Sequence, residues 1–225
     1  MTTSSVESEL KYLAADERPL LYLATRDRLG PASLGPASTV AELDRYLDTA
    51  DLRLAAVRWA CRLRTRDGRT IVSLKGPAEH AAGELVHRRP ELEGPADSNL
   101  DAAGWVPSKA RDRVLALAGG KPLAEQFRLE QDRTERSVTV GGEVVGILSL
   151  DRVRVMRDGG ERGRLLAVEL EFASGARAGF DHRSYATALS GIAGLTPDPM
   201  SKLERALAML HGARGPVNPP AGGAG

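Results

Sequence analysis

Glu7, Glu9 and Lys11 stand two residues apart near the start of the chain, with Val6, Leu10 and Tyr12 in the alternate slots. On a strand, successive side chains point to opposite faces, so these two carboxylates and the ammonium share one face. At about 3.3 Å per residue they line a track roughly 13 Å long, a length suited to a chain of phosphates. A solvated strand face would show the same alternation, so the chemistry depends on later strands repeating it.

They do repeat it. Arg58, Arg62, Arg64 and Arg66 alternate with Val57, Trp59, Cys61 and Leu63. Beyond the tight-turn pair Asp67-Gly68, Ser73 and Lys75 alternate with Thr70, Val72 and Leu74, giving a hairpin that carries Arg62, Arg64 and Lys75. Bases facing one another across a hairpin repel unless anions or carboxylates lie opposite. Arg89, Glu91 and Glu93 alternate again, with Pro90 suggesting an edge or a bulge. Further on, Glu169 and Glu171 stand against Leu166, Val168, Leu170 and Phe172.

The elements that must position these residues follow from pattern and punctuation. The stretch 14–38, with Pro19, Pro31 and Pro36 and a tandem Leu-Gly-Pro-Ala-Ser, reads as irregular connection. Thr39 to Thr49 reads as a strand, with a helix over Val40 to Tyr46 left open. Asp97 to Gly120 reads as a helix with Val106, Val114, Leu115 and Leu117 as contacts and Gly119-Gly120 as its stop. Strands resume over Phe127 to Val140, Val144 to Val155, Leu165 to Phe172 and Ala176 to Asp181. Two helices follow, Tyr185 to Gly194 and Met200 to Leu210. The fold class is therefore α+β, mainly β. About eight antiparallel strands form a closed barrel, or tunnel, with flanking helices. Residues 1–211 form one domain, and 212–225, a Gly/Ala/Pro tail with almost nothing to bury, is expected to be disordered.

Which face turns inward decides the function. In an ordinary barrel the apolar faces meet and the charges meet water. In a wet tunnel the charges turn in, and the apolar faces are covered from outside by helices and a partner chain. Segregation of acids and bases onto different strands favours the tunnel. Hard cations take carboxylate oxygens, and phosphate oxygens take Arg and Lys.

Composition excludes several other classes. With 31 basic and 30 acidic residues the formal charge is +1, which supplies no global field for nucleic acid or an anionic membrane. The one cysteine, Cys61, rules out a disulfide framework within the chain and suits a cytoplasmic setting. No apolar run approaches the ~20 residues that span a bilayer, and the start lacks a signal pattern. His80, His87, His182 and His211 have no metal-ligand spacing. The Gly-x4-Gly from Gly142 lacks the Lys-Ser/Thr of a phosphate loop, and Arg58 to Arg66 lacks interleaved aromatics beyond Trp59.

Taken in order, Glu7-x-Glu9-x-Lys11, Tyr46-x-Asp48-Thr49-x-Asp51-Leu52-x-Leu54, Arg62-x-Arg64, Leu74-Lys75-x-Pro77, Arg89-x-Glu91-x-Glu93, Arg133-Thr134, Asp151 and Val168-Glu169-x-Glu171 resemble the CYTH domains, or triphosphate tunnel metalloenzymes. The resemblance runs from Val6 to about Leu210. It implies an eight-stranded tunnel that hydrolyses a triphosphate, inorganic or carried by a small molecule, with Mg²⁺ or Mn²⁺. It also implies that Glu7, Glu9, Glu169 and Glu171 hold metal, with Asp151 a further ligand, and that Glu169 and Glu171 serve the chemistry. Lys11, Arg62, Arg64, Lys75, Arg133 and, less securely placed, Arg128 would bind phosphate oxygens, as would Lys202 at the start of the last helix. The alternatives are a class IV-type adenylyl cyclase, turning ATP into cyclic AMP and pyrophosphate, and a non-catalytic polyphosphate binder.

The chain departs from the family in carrying Arg58-Trp59-Ala60 where glycine is expected. It also lacks the cyclase branch's His-Phe pair near the first motif, and no CHAD domain follows. Expected partners are a small triphosphate or polyphosphate, with no nucleic acid and no membrane. Oligomeric state is open, a homodimer included.

Overall fold

The computed structural model of the chain describes residues 3–77, 86–173 and 182–212, with the side chains of residues 3–7 and 86–88 left aside. Eight long strands carry the fold: β1 (Thr3–Ala14), β4 (Ser38–Thr49), β5 (Ala60–Arg66), β6 (Arg69–Lys75), β7 (Val86–Ala96), β8 (Leu123–Val140), β9 (Glu143–Arg157) and β10 (Gly160–Phe172). All their pairings are antiparallel, in the order β8-β4-β5-β6-β7-β1-β10-β9, and β9 pairs β8 again, so the pairings form a ring. Short strands β2 (Arg28–Leu29), β3 (Ala32–Leu34) and β11 (Leu195–Pro197) lie outside this ring.

The apolar faces of the strands point outward and are covered by helices of the same chain. On one side Leu10, Tyr12, Leu148, Leu150, Val168 and Leu170 pack under α1 (Arg18–Thr25) and α4 (His182–Ser190), which contribute Leu20, Leu23, Tyr185 and Leu189. The Tyr12 hydroxyl donates to the carbonyl of Ala186 at 3.0 Å, fixing α4 on the sheet. On the other side Cys61, Leu63, Val72 and Leu74 pack under Leu54 of α2 (Arg53–Ala56), Trp105, and Val114 of α3 (Lys109–Ala118). Each fully buried leucine contributes about 1.5–3 kcal/mol. With the apolar faces sealed from outside, the charged faces are left to the interior.

One end of that interior is itself apolar. Tyr46, stacked on Phe127 with ring centroids 4.8 Å apart, joins Leu129, Val153, Val155 and Leu165 against Ala206 and Leu210 of α5 (Lys202–Gly212). Ser201 starts α5 with a reciprocal cap. Its hydroxyl accepts from the Glu204 amide at 3.2 Å, and its own amide donates to the Glu204 carboxylate at 2.6 Å.

Several expectations need correction. The stretch 14–38 is not irregular: Pro19 falls in the first turn of α1, where the missing N–H costs nothing, and Gly30-Pro31 turns β2 into β3. The Arg136 guanidinium holds this segment by donating to the carbonyls of Leu23, Arg26, Leu34 and Gly35. The helix expected over Asp97 to Gly120 is only α3, begun by the Ser108 cap and ended by Gly119 at φ +58°; Val106 is exposed. Pro90 is not on an edge, because β7 pairs with β1 and β6; it lies just past the end of β6, where its carbonyl accepts from Gly76. The strand Ala176 to Asp181 lies outside the described residues, and so does the tail beyond 212.

Arg58, where glycine was expected, has φ +60°. An L-residue with a Cβ pays about 1–2 kcal/mol in this left-handed region, and glycine does not. Arg58→Gly is expected to raise the unfolding free energy by about 0.5–1 kcal/mol after its own chain-entropy cost, read from urea denaturation.

Candidate active site

Alternation along the ring aims one side chain in two at a central cavity of about 200 Å³. Seven bases line it: Lys11 from β1, Arg62 and Arg64 from β5, Lys75 from β6, Arg89 from β7, Arg133 from β8 and Lys202 from α5. Five acids join them, Glu9, Glu91, Glu93, Glu169 and Glu171. Bases 4 Å apart repel by about 4 kcal/mol at the effective dielectric near a protein surface, so acids must stand behind them.

Those acids are buried beneath the cavity wall. Asp44 receives Arg64 through Nε at 2.7 Å and Nη2 at 2.8 Å, and Arg62 through Nη1 at 3.2 Å. Asp151 receives Arg133 through Nε at 2.8 Å and Nη2 at 2.9 Å, and Lys202 at 2.7 Å. Ser73 donates to Glu91 at 2.6 Å, and Lys75 approaches the same oxygen at 3.3 Å.

Burial alone would push the Asp44 carboxyl up, but the guanidiniums of Arg62 and Arg64 hold it far below the usual carboxylate range. Burial likewise opposes ionisation of Glu169, and Lys202 with Arg133 outweighs it, so this carboxyl is also strongly lowered. Lys202 is raised: burial works against its charge, and Asp151 and Glu169 more than restore it.

A group whose folded pKa is depressed adds stability above its unfolded value and loses it as pH falls through the folded value. Asp44→Asn is therefore expected to cost about 3 kcal/mol at neutral pH, because the largely buried guanidiniums of Arg62 and Arg64 lose the charge of the carboxylate they share. Urea denaturation of both proteins should show the gap shrinking below about pH 4.

Residues 6–187 match the family model of the CYTH domain. The chain belongs to the CYTH family. Three solved structures share its fold. HpAC1 from Hippeastrum, described as a putative adenylyl cyclase with a dominant triphosphatase activity, superposes with a TM-score of 0.66 at 22% identity, over 90% of this chain and 95% of that one. A putative adenylate cyclase from Bacillus halodurans gives 0.58 at 20% identity over 90% and 97%. The PH1819 protein from Pyrococcus horikoshii OT3 gives 0.51 at 16% identity over 90% and 98%. No curated protein matches the sequence.

Of the expected site residues whose side chains are described, Glu9, Lys11, Arg62, Arg64, Lys75, Arg133, Glu169, Glu171 and Lys202 line one cavity, and Arg128 and Asp151 do not. Arg128 is on the outer face of β8, 3.5 Å from Glu130, because five residues separate it from Arg133 and an odd spacing reverses the face. Asp151 has no exposure and both its oxygens are taken by Arg133 and Lys202, so it braces bases instead of facing the cavity. Lys202 enters from beyond the matched segment.

Glu9 and Glu171 are direct partners across β1 and β10, and Lys11 and Glu169 are the next pair on the same face. The side chain of Glu7 lies outside the described residues. Among the described residues, no three acids, histidines or cysteines form a preformed metal cluster. The Glu9 and Glu171 pair nonetheless has the donor chemistry of a hard-cation site, two carboxylates set directly opposite each other, with Lys11 at 3.5 Å and Arg89 at 3.4 Å already beside Glu9.

Three features of this CYTH site escaped the sequence reading. Arg89 lines the cavity and reaches Glu9 at 3.4 Å; its period-two run with Glu91 and Glu93 was the available signal. Glu42 and Asp44 were hidden by the open choice between helix and strand on β4. Ser149 and Ser201 carry no charge to mark them. Asp48 and Thr49 of the Tyr46 motif do not line the cavity. Asp48 accepts the amides of Leu54 at 3.0 Å and Ala55 at 3.0 Å, fixing α2 against β4.

Proposed function

We propose that the chain hydrolyses the terminal phosphoanhydride bond of a triphosphate, inorganic or borne by a small molecule, in this cavity with the help of Mg²⁺ or Mn²⁺. The observation that carries the reading is the convergence on one cavity of Arg62, Arg64, Lys75, Arg89 and Arg133 from β5 to β8 with Glu9, Glu169 and Glu171 from β1 and β10, where Lys11, Glu91 and Glu93 join them. The family's tunnel fold and the triphosphatase activity named for the Hippeastrum protein point the same way.

Arg62, Arg64, Lys75 and Arg133 bind phosphate oxygens, with Lys11 and Lys202 at the acidic side of the cavity. Their braces on Asp44, Asp151 and Glu91 hold the donors in place before substrate arrives, so little reorganisation is needed as charge shifts. Glu9 and Glu171, with Glu7 and Glu169, would hold the cation. When bound, it would neutralise phosphate oxygens and lower the pKa of water. The attacking water oxygen bonds to the terminal phosphorus, the bridging P–O bond breaks, and its electron pair leaves with the diphosphate, or with the diphosphate ester.

The deciding experiment offers inorganic triphosphate, thiamine triphosphate and ATP to the purified protein under Mg²⁺, Mn²⁺ and EDTA. Orthophosphate release from a triphosphate that stops in EDTA is the expected result. Cyclic AMP with pyrophosphate from ATP would replace hydrolysis by cyclisation, and tight binding without turnover under every metal would leave only a binder.

A further inference from the structure

Beneath the arginines of β5, behind the cavity wall, lie two carboxylates and one amide. Glu42 and Asp44, two apart on β4, point the same way, and their side chains are wholly shielded from solvent. Glu42 stands directly opposite Gln131 of β8. The Gln131 amide nitrogen donates to Glu42 Oε2 at 2.9 Å and to Asp44 Oδ2 at 3.1 Å. One NH₂ group thus spends both hydrogens joining two carboxylates that would otherwise meet charge to charge.

Its carbonyl oxygen Oε1 is buried with no hydrogen-bond partner among the described residues. Turning the amide over would set that oxygen against two carboxylates, so the orientation is fixed by charge. A buried acceptor without a donor is a cost to folding. What the residue supplies in return is a neutral double donor.

The two carboxylates fan out to the cations of the site. Asp44 holds Arg62 and Arg64; Glu42 reaches Arg64 at 3.2 Å, Arg66 at 3.3 Å and Arg133 at 3.7 Å. Arg62, Arg64 and Arg133 line the cavity, and Gln131 does not.

We propose that Gln131 is a positioning residue for phosphate recognition: by bridging Glu42 and Asp44 it fixes the carboxylates that present Arg62, Arg64 and Arg133 to a phosphate chain. This rests on the reading of the cavity as a triphosphate site.

The chemistry also says why the position carries glutamine and not glutamate. The charged groups around position 131 are Glu42 and Asp44 from β4, Arg64 and Arg66 from β5, Arg133 on its own strand, and Asp151 from β9, the partner of Arg133. A glutamate there donates a hydrogen bond only while protonated. Ionised, it adds a third negative charge to the pair and draws the arginines back from the cavity.

The test measures binding of sodium tripolyphosphate in EDTA, where no metal-dependent turnover occurs, for wild type, Gln131→Leu and Gln131→Glu between about pH 5.5 and pH 8.5. Gln131→Leu should weaken binding about tenfold at every pH. Gln131→Glu should match that loss near the alkaline end and approach wild type near the acid end. Thermal melts run alongside, since a purely structural role would lower both melting temperatures and leave the affinity ratio flat with pH. If Gln131→Glu does not fold, Gln131→Leu alone decides, and wild-type affinity in that variant overturns the proposal. A flat ratio for folded Gln131→Glu does so equally. Wild type that binds tripolyphosphate but never hydrolyses it under any metal would remove the hydrolytic reading and leave this inference standing. Wild type that binds no tripolyphosphate, in EDTA or with Mg²⁺ or Mn²⁺, would remove both.

Discussion

Phosphate release from triphosphate by Glu171→Gln is expected to fall at least about a hundredfold below wild type, while the melting temperature stays level or rises. Two terms separate the effects. Glu171 is exposed to the cavity mouth and stands directly opposite Glu9. Like charges facing across an antiparallel pair are destabilising by a fraction of a kcal/mol, roughly 0.2–1, and Lys11 and Arg89 beside Glu9 offset part of that, so removing one leaves the fold level or slightly relieved. A cation held between the two carboxylates turns that repulsion into the site's working interaction, and glutamine is a poor replacement for a hard cation's anionic ligand. Steady-state phosphate release and a thermal melt on the same preparation give both numbers. Wild-type turnover in the variant would remove Glu171 from the cation site, and a collapsed melting temperature would make it a structural residue.

Arg133→Met is expected to damage stability and activity together. Its guanidinium is almost fully buried, binds Asp151 through two nitrogens, reaches Glu169 at 3.1 Å and stands 3.7 Å from Glu42. Three carboxylates would then share Lys202 and the β5 arginines. Breaking a buried ion pair from one side costs about 3–5 kcal/mol, because the partner charge stays behind. Burial opposes the charge on Asp151, and Lys202 and Arg133 bring its pKa below the usual value. In wild type that lowering contributes stability above the ordinary carboxylate range and loses it as pH falls through the folded value. In the variant the contribution is missing, so the deficit is largest at neutral pH and narrows towards about pH 4. Urea denaturation at the two pH values tests the sign. A deficit independent of pH would mean that Arg133 acts by packing alone.

Arg128 and Arg133 illustrate how much of the site was legible. Both are arginines in one strand-forming stretch, and only their separation distinguishes them. Parity along the stretch Phe127 to Val140 puts the two on opposite faces, and β8, a single 18-residue strand, keeps that parity. Asp151 was different: nothing in the sequence says that Arg133 and Lys202, 18 and 51 residues away, consume both its oxygens. Ligand and brace are the same residue type on the same face, and only depth below the cavity surface separates them.

Alternation with a period of two determined the strands, which charges travel together, and the hairpin at Asp67-Gly68, where both residues take positive φ. It could not determine which face is inside, because a period-two pattern is symmetric under exchange of its faces. Ring closure and the helices broke that symmetry: α1 to α4 seal the apolar side, and the charges have only the interior left. Helix α1 was hidden for a related reason, since its stability comes from Leu20 and Leu23 docking on β1, β9 and β10, contacts that local propensity does not contain.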